Sequence, residues 1–145
     1  MTTTSTDAKA VELIRFQEAL ERAAQLSSRA LDQALGAPPP GLGAHEISLD
    51  KRFTRVSSGH RALLGYSPAD LVGKSVSEFV VLKETAERAM SRKLAPGAVL
   101  LPYTRTFRKA DGGEISLLLI DRHLKDSEGH VTGIRTVFAE TPRVA

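Results

Sequence analysis

The side chains that could do chemistry in this chain are few. Cysteine is absent from its 145 residues, so a disulfide framework, a thiolate zinc site and a cysteine nucleophile are all excluded. Four histidines are present, His45, His60, His123 and His130, and they are the natural candidates for proton transfer near neutrality or for metal ligation. Asp121 and Asp70 are the carboxylates with a claim to an inward position, although Asp70 already has a capping role. Arg105 and Arg135 could grip a carboxylate through the two-pronged geometry of guanidinium. Nothing in the chain resembles G-x-S-x-G, H-E-x-x-H, a phosphate loop or a dinucleotide fingerprint. His60 to Leu64 lacks the long helical hairpin that presents a phosphoacceptor histidine. Asp7, Glu12, Glu18 and Glu21 fall where a long helix ordinarily keeps its wet side.

These side chains depend on elements that the sequence marks clearly. Residues 1–7 are Thr/Ser-rich and read as a disordered start. Residues 8–36 contain no proline and a single glycine, Gly36; Leu13, Phe16, Leu20, Ala23, Ala24, Leu31 and Leu35 recur every three or four residues, so an amphipathic helix is expected with Val11 and Ile14 widening its buried stripe. Gly36 and the run Pro38-Pro39-Pro40 stop it, making 37–43 a stiff spacer. Two short strands, Ala44–Leu49 and Phe53–Val56, follow around the turn Asp50-Lys51-Arg52.

Two helix starts then fall within ten residues. Ser67 with Pro68 and Asp70 forms one capping box, and Ser75 with Glu78 the next, while Gly65 and Gly73 suit left-handed helix ends. Leu82, Ala86, Ala89, Met90 and Lys93-Leu94 predict an amphipathic helix of about three turns whose apolar side faces inward, before Pro96-Gly97 ends it. The last third predicts three strands, Val99–Arg108, Glu114–Leu124 and Val131–Ala139, joined by Asp111-Gly112-Gly113 and by Asp126 to Gly129. Ile115, Leu117, Leu118, Leu119 and Ile120 break the alternation of a half-wet strand, so both faces of the sheet should be covered. The N-terminal helix is the element left to cover the outer one, in its own subunit or in a partner's.

The stretch HRALLGYSPADLVGKSVSEF, from His60 to Phe79, with the turn R-K-A-D-G-G later, resembles the PAS (Per-Arnt-Sim) domain family. The resemblance runs from about Ala44 to Ala139 and bounds a domain at 44–141. It implies an α+β fold: a five-stranded antiparallel sheet in spatial order 2-1-5-4-3 with short helices cupping a cavity on one face. It also implies a signalling role as sensor, dimerisation module or docking surface. Strand parity places Phe107, Leu117, Leu119 and Val137 on the cavity side with Tyr103 and Arg105, beside Leu64 and Met90. Leu118, Ile120, Ile134 and Phe138 then face outward toward Leu13, Phe16, Leu20, Ala24 and Leu31 of the helix. The same register sets Asp121 opposite Arg135, either as a cross-strand ion pair or with arginine as a ligand anchor.

Family chemistries can be weighed by residue type. A flavin-bonding cysteine would fall near Val76, and flavin polar contacts near Phe107 and Leu117, so flavin photochemistry loses its donors. Haem would need an axial ligand, yet Leu82–Leu94 holds no histidine; His60 and His123 are left, and His60 reads as a surface or helix-end residue. No cofactor and no metal is therefore expected. Ser57-Ser58 replaces an asparagine common after the second strand, which puts the strand-to-helix hydrogen bonding in doubt. Ala139-Glu140-Thr141 before Pro142 replaces the usual Asp-Ile-Thr-like ending, so output to a C-terminal effector is not expected.

Charge and length complete the expectation. Lys and Arg number 20 against 17 Asp and Glu, a net +3 spread along the chain, which argues against nucleic acid. No signal peptide and no membrane-length apolar run is seen, so a cytoplasmic protein is expected. The reading is a single-domain signalling protein, not an enzyme, that forms a homodimer and engages a signalling protein such as a histidine kinase. Two alternatives stand beside it: a sensor holding an apolar or carboxylate ligand in the cavity, and a cone-shaped α+β enzyme of the ketosteroid-isomerase type.

Overall fold

The computed structural model describes residues 42–141 together with the helical positions Val11, Ile14, Arg15, Glu18, Ala19 and Arg22. The expected stripe Leu13, Phe16, Leu20, Ala24 and Leu31 lies outside the described residues. Val11 and Ile14 are 45% and 53% exposed, contrary to expectation. At three- and four-residue spacing they share a helix face with Arg15, Glu18 and Arg22, and that face is exposed in the single chain.

The element order is β1 (Leu42–Ser48), β2 (Phe53–Val56), α1 (Ser58–Leu64), α2 (Pro68–Leu71), a 3-10 turn (Val76–Phe79), α3 (Lys83–Leu94), β3 (Tyr103–Arg108), β4 (Glu114–Lys125) and β5 (Val131–Glu140). The sheet is antiparallel with spatial order β2-β1-β5-β4-β3, as the resemblance implied. No helix among the described residues is long and apolar enough to cross a membrane.

Local chemistry forms the short helices. The backbone N–H of Ser67 donates to the Asp70 carboxylate at 3.0 Å, and that of Ser75 to Glu78 at 3.1 Å. Each satisfies a donor that a helix start leaves orphaned. Gly65 closes α1 at φ 88°, a conformation in which a side chain would be strained. The missing asparagine is replaced by Ser57: its hydroxyl accepts from the Ala44 N–H at 2.8 Å, its N–H donates to the Ala44 carbonyl, and its own carbonyl accepts from His60. Serine thus ties β1 to α1, and the doubt raised by its presence does not stand.

Tertiary packing gives the sheet two apolar faces. The inner one gathers Ile47, Phe53, Phe107, Leu117, Leu119, Ile134 and Phe138 under Leu64, Leu71, Val76, Ala86 and Met90 from the helical segment. Phe53, Phe107 and Phe138 are at most 2% exposed, each contributing roughly 1.5–3 kcal/mol of burial. The outer face gathers Ala44, Leu118, Ile120, Val137 and Ala139, all 0–3% exposed.

Two expectations are reversed here. Val137 is on the outer face, while Ile134 and Phe138 are on the inner one. The cause is a bulge: pairing steps from Lys125 with Val131 to Leu124 with Gly133, so Thr132 is an extra residue and the parity of β5 inverts. Asp121 consequently faces Thr136, and Arg135 lies on the opposite side of the sheet. The expected early start of β3 also fails, since Val99–Pro102 carries no regular structure. Leu82 caps α3 with 66% exposure and does not join its inward stripe.

Candidate functional site

The concave face of the sheet holds an enclosed space of about 20 Å³. A single water requires at least about 10–15 Å³, so there is room for one such molecule. Its walls are Ile47, Val76, Ala86, Met90, Phe107, Leu119 and Ile134, with polar groups from His45, Lys93, Tyr103, Arg105, Asp121 and Thr136. Of the residues expected around a cavity, Met90, Tyr103, Arg105, Phe107 and Leu119 line it, and Leu64 and Leu117 pack in the same inner core. Val137 is on the other face.

The polar groups are occupied with one another. Asp121, 4% exposed, accepts from the Thr136 hydroxyl at 2.6 Å and, at the longer distance of 3.5 Å, from the Tyr103 hydroxyl. Its second oxygen meets the Lys93 ammonium at 2.9 Å. That ammonium also sits 3.5 Å from the centre of the Tyr103 ring, a cation–π contact. Arg105 lies 5.3 Å from the same ring. His123 donates to the Lys93 carbonyl at 2.7 Å, which holds the end of α3 against β4. Burial pushes the Lys93 pKa down, opposed by Asp121, and burial with the Asp121 charge holds the Tyr103 hydroxyl well above its ordinary range. A buried pair of this kind tolerates loss of one partner poorly, because the other charge is left without solvent or counter-ion.

Lys93 was not expected at the site, yet the sequence carries its signal. It follows Met90 by three and Ala86 by seven, so it occupies a position on the buried stripe of α3 that an apolar side chain would normally fill. A lysine there must bury its stem and bring a carboxylate to its head.

Two histidines form a second buried group. Nδ1 of His45 and Nε2 of His60 are 3.3 Å apart, so one neutral ring donates to the other. Phe53 and Phe138 complete an aromatic box around them, with ring centroids 5.0 to 5.7 Å apart. His60 is 1% exposed, and so is not the surface residue its place at the start of α1 suggested. Burial, then the Lys93 charge, lowers the His45 pKa to about 3. Burial, then His45, lowers that of His60 well below its ordinary value. Both rings are neutral at pH 7. The remaining nitrogen of His60, Nδ1, is without a hydrogen-bond partner. Close approach makes the box: a side chain at Gly43 would put its first carbon 2.6 Å from the Phe138 ring.

On the outer face Arg135 is paired with Glu46, its Nε donating at 2.6 Å, and Arg55 stands 3.7 Å from the same carboxylate. Arg135 therefore cannot serve the inner space. Among the described residues no cluster of three or more metal-ligating side chains occurs.

A five-stranded antiparallel sheet with short helices over one face and a small, self-filled interior defines the class as an α+β module. The sequence profile of the PAS domain family matches residues 44–140, and the chain belongs to that family. Solved structures agree in fold. A PAS domain from Colwellia psychrerythraea superposes with a TM-score of 0.64 at 14% identity, covering 82% of this chain and 98% of its own. The PAS domain of an HTR-like protein from Haloarcula marismortui gives 0.63 at 17% identity, covering 86% and 98%. The light state of the blue-light photoreceptor Aureochrome1 LOV gives 0.57 at 16%, covering 70% and 82%. No curated protein matches the sequence.

Proposed function

We propose that this PAS domain signals through protein contact, as a homodimer, and neither holds a small molecule nor catalyses a reaction. The observation that carries this reading is the interior. A space of about 20 Å³, closed by side chains that satisfy one another, is far below the roughly 300–1,000 Å³ of a small-molecule pocket. Asp121, the carboxylate with the best claim to act as a base, is committed to Lys93 and Thr136.

The outer face is apolar and is covered within a single chain. Five apolar residues there are almost fully buried, whereas the helices between 58 and 94 pack on the opposite face. In this reading the N-terminal helix, 8–36, lies over Leu118, Ile120 and Val137. Val11 and Ile14, exposed and one turn apart, give a second copy an apolar surface to bury.

Native mass spectrometry and light scattering on the full chain test both halves. The expected result is a dimer with the mass of polypeptide alone, converted to monomer by Val11→Asp with Ile14→Asp. A retained small molecule would overturn the first half, and a monomeric wild type the second.

A further inference from the structure

Strand β3 forms one edge of the sheet, and the chain itself closes only part of that edge. Lys109 donates its N–H to the Gly113 carbonyl at 2.8 Å, and bonded residues alternate along an antiparallel pair, so Tyr103, Arg105 and Phe107 turn their backbone groups toward β4. Thr104 and Thr106 therefore turn theirs outward. Val80 lies opposite Phe107, and the Val81 N–H donates to the Thr106 carbonyl at 3.1 Å. The chain then leaves the edge, with Leu82 capping α3. The N–H and carbonyl of Thr104 and the N–H of Thr106 have no partner among the described residues, and Thr104 is exposed. Beside them lies an open groove of about 430 Å³, walled by Val81, Leu82 and Thr85 around the start of α3 and by Thr104, Thr106 and Ser116 from the sheet. Arg105 and Glu114 complete the wall from opposite faces of the sheet, so charge does not choose what enters.

We propose that the groove takes an extended segment of another protein, which adds a sixth strand beyond β3 by pairing its main chain with Thr104 and the Thr106 N–H and lays an apolar side chain on Leu82. The unpaired backbone groups select this occupant. They repeat every two residues, about 6.6 Å at roughly 3.3 Å per residue, which is the repeat of a strand and of no lipid or compact small molecule. An edge left open in this way is the template that strand addition uses, and Val80 and Val81 already pair with its other half. Leu82, 66% exposed, is the apolar surface that the added strand covers. A second copy would bring the same edge interrupted by Pro102, which has no N–H to give. The inference rests on the reading that the domain works through protein contact, and not on pairing through residues 8–36.

The test is hydrogen exchange of the full-length protein, read amide by amide by NMR, alone and with the peptides most enriched from a random dodecapeptide library selected on it. In the free protein the Thr104 and Thr106 amides should exchange quickly and those of Arg105 and Phe107 slowly. The enriched peptides should slow the Thr104 amide about tenfold or more, and should lose binding when alternate backbone nitrogens of the peptide are methylated. Thr104→Pro removes the donor at a sheet edge, where proline is tolerated, and should weaken binding about tenfold or more. Leu82→Asp, at an exposed position, should do the same with an unchanged melting curve, and stands in should the proline variant not fold. A Thr104 amide slow in the free protein, no enrichment, binding that leaves Thr104 unprotected, or binding indifferent to methylation would each overturn the proposal. So would Thr104 protection that grows with protein concentration and needs no peptide, since the edge would then pair with a second copy. Light scattering reports pairing through residues 8–36 separately, and a monomeric wild type leaves these outcomes readable.

Discussion

Acid should weaken this fold through two particular side chains. His45 and His60 are 4% and 1% exposed, share one hydrogen bond, and sit in a box of phenylalanines. The groups facing them are the Lys93 ammonium, which opposes a further positive charge, and Asp121 across the inner space, already paired with Lys93. In the unfolded chain His45 takes up a proton near its ordinary pKa of 6.5; in the fold it resists until about pH 3. The folded value is depressed, so stability is full above pH 6.5 and is lost as pH falls toward 3, at up to about 1.4 kcal/mol per unit. Between pH 7.5 and pH 5.0 His45 alone should remove about 2 kcal/mol, and His60 acts with the same sign. With a urea slope of about 2 kcal/mol per molar, the midpoint should fall by about 1 M or more. Urea melts at the two pH values measure it. The control is the double substitution His45→Leu with His60→Leu, which removes both hydrogen-bonding partners together and so leaves no orphan. His123 and His130 remain in both proteins and cancel. The double variant should lose far less stability on acidification than the wild type. Equal losses in the two proteins would refute the reasoning.

Other substitutions probe the elements that set up the interior. Asp121→Ala strands Lys93 in a buried site and should cost about 3–5 kcal/mol in chemical denaturation, with Asp121→Ala combined with Lys93→Met recovering part of it. Ser57→Ala leaves the Ala44 N–H without its acceptor and should cost about 1–3 kcal/mol, read as a lowered melting temperature. Gly59→Ala would place a carbon 2.0 Å from the Leu42 carbonyl oxygen, so α1 must move off β1; loss of cooperative unfolding is expected by calorimetry. Gly129→Ala meets nothing within 4 Å but requires φ of 84°, and should cost only about 1–2 kcal/mol.

How much of this was legible in the sequence depends on the range of the interaction. Ser67 with Asp70, Ser75 with Glu78, and the left-handed Gly65 and Gly73 were readable because each partner lies within a few residues along the chain. So was the double-sided burial of β4, since Leu117 to Ile120 leaves no side of the strand polar. The face of each β5 residue was not readable. One extra residue at Thr132 inverted the set, moving Val137 outward and Ile134 and Phe138 inward, and separating Arg135 from Asp121. A bulge in a hairpin is decided by which register buries the larger side chains, and that is a property of the sheet and its helices together.

Composition and local spacing by themselves determined that this chain has no cysteine chemistry, that it caps several very short helices, and that the family they signal is the PAS domain. Only the assembled molecule decided what fills its interior. Helix α3 places Lys93 against Asp121, and α1 delivers His60 to His45 from fifteen residues away. Such pairs are set by distances through space; spacing along α3 could mark Lys93 as inward but could not name Asp121 as its partner.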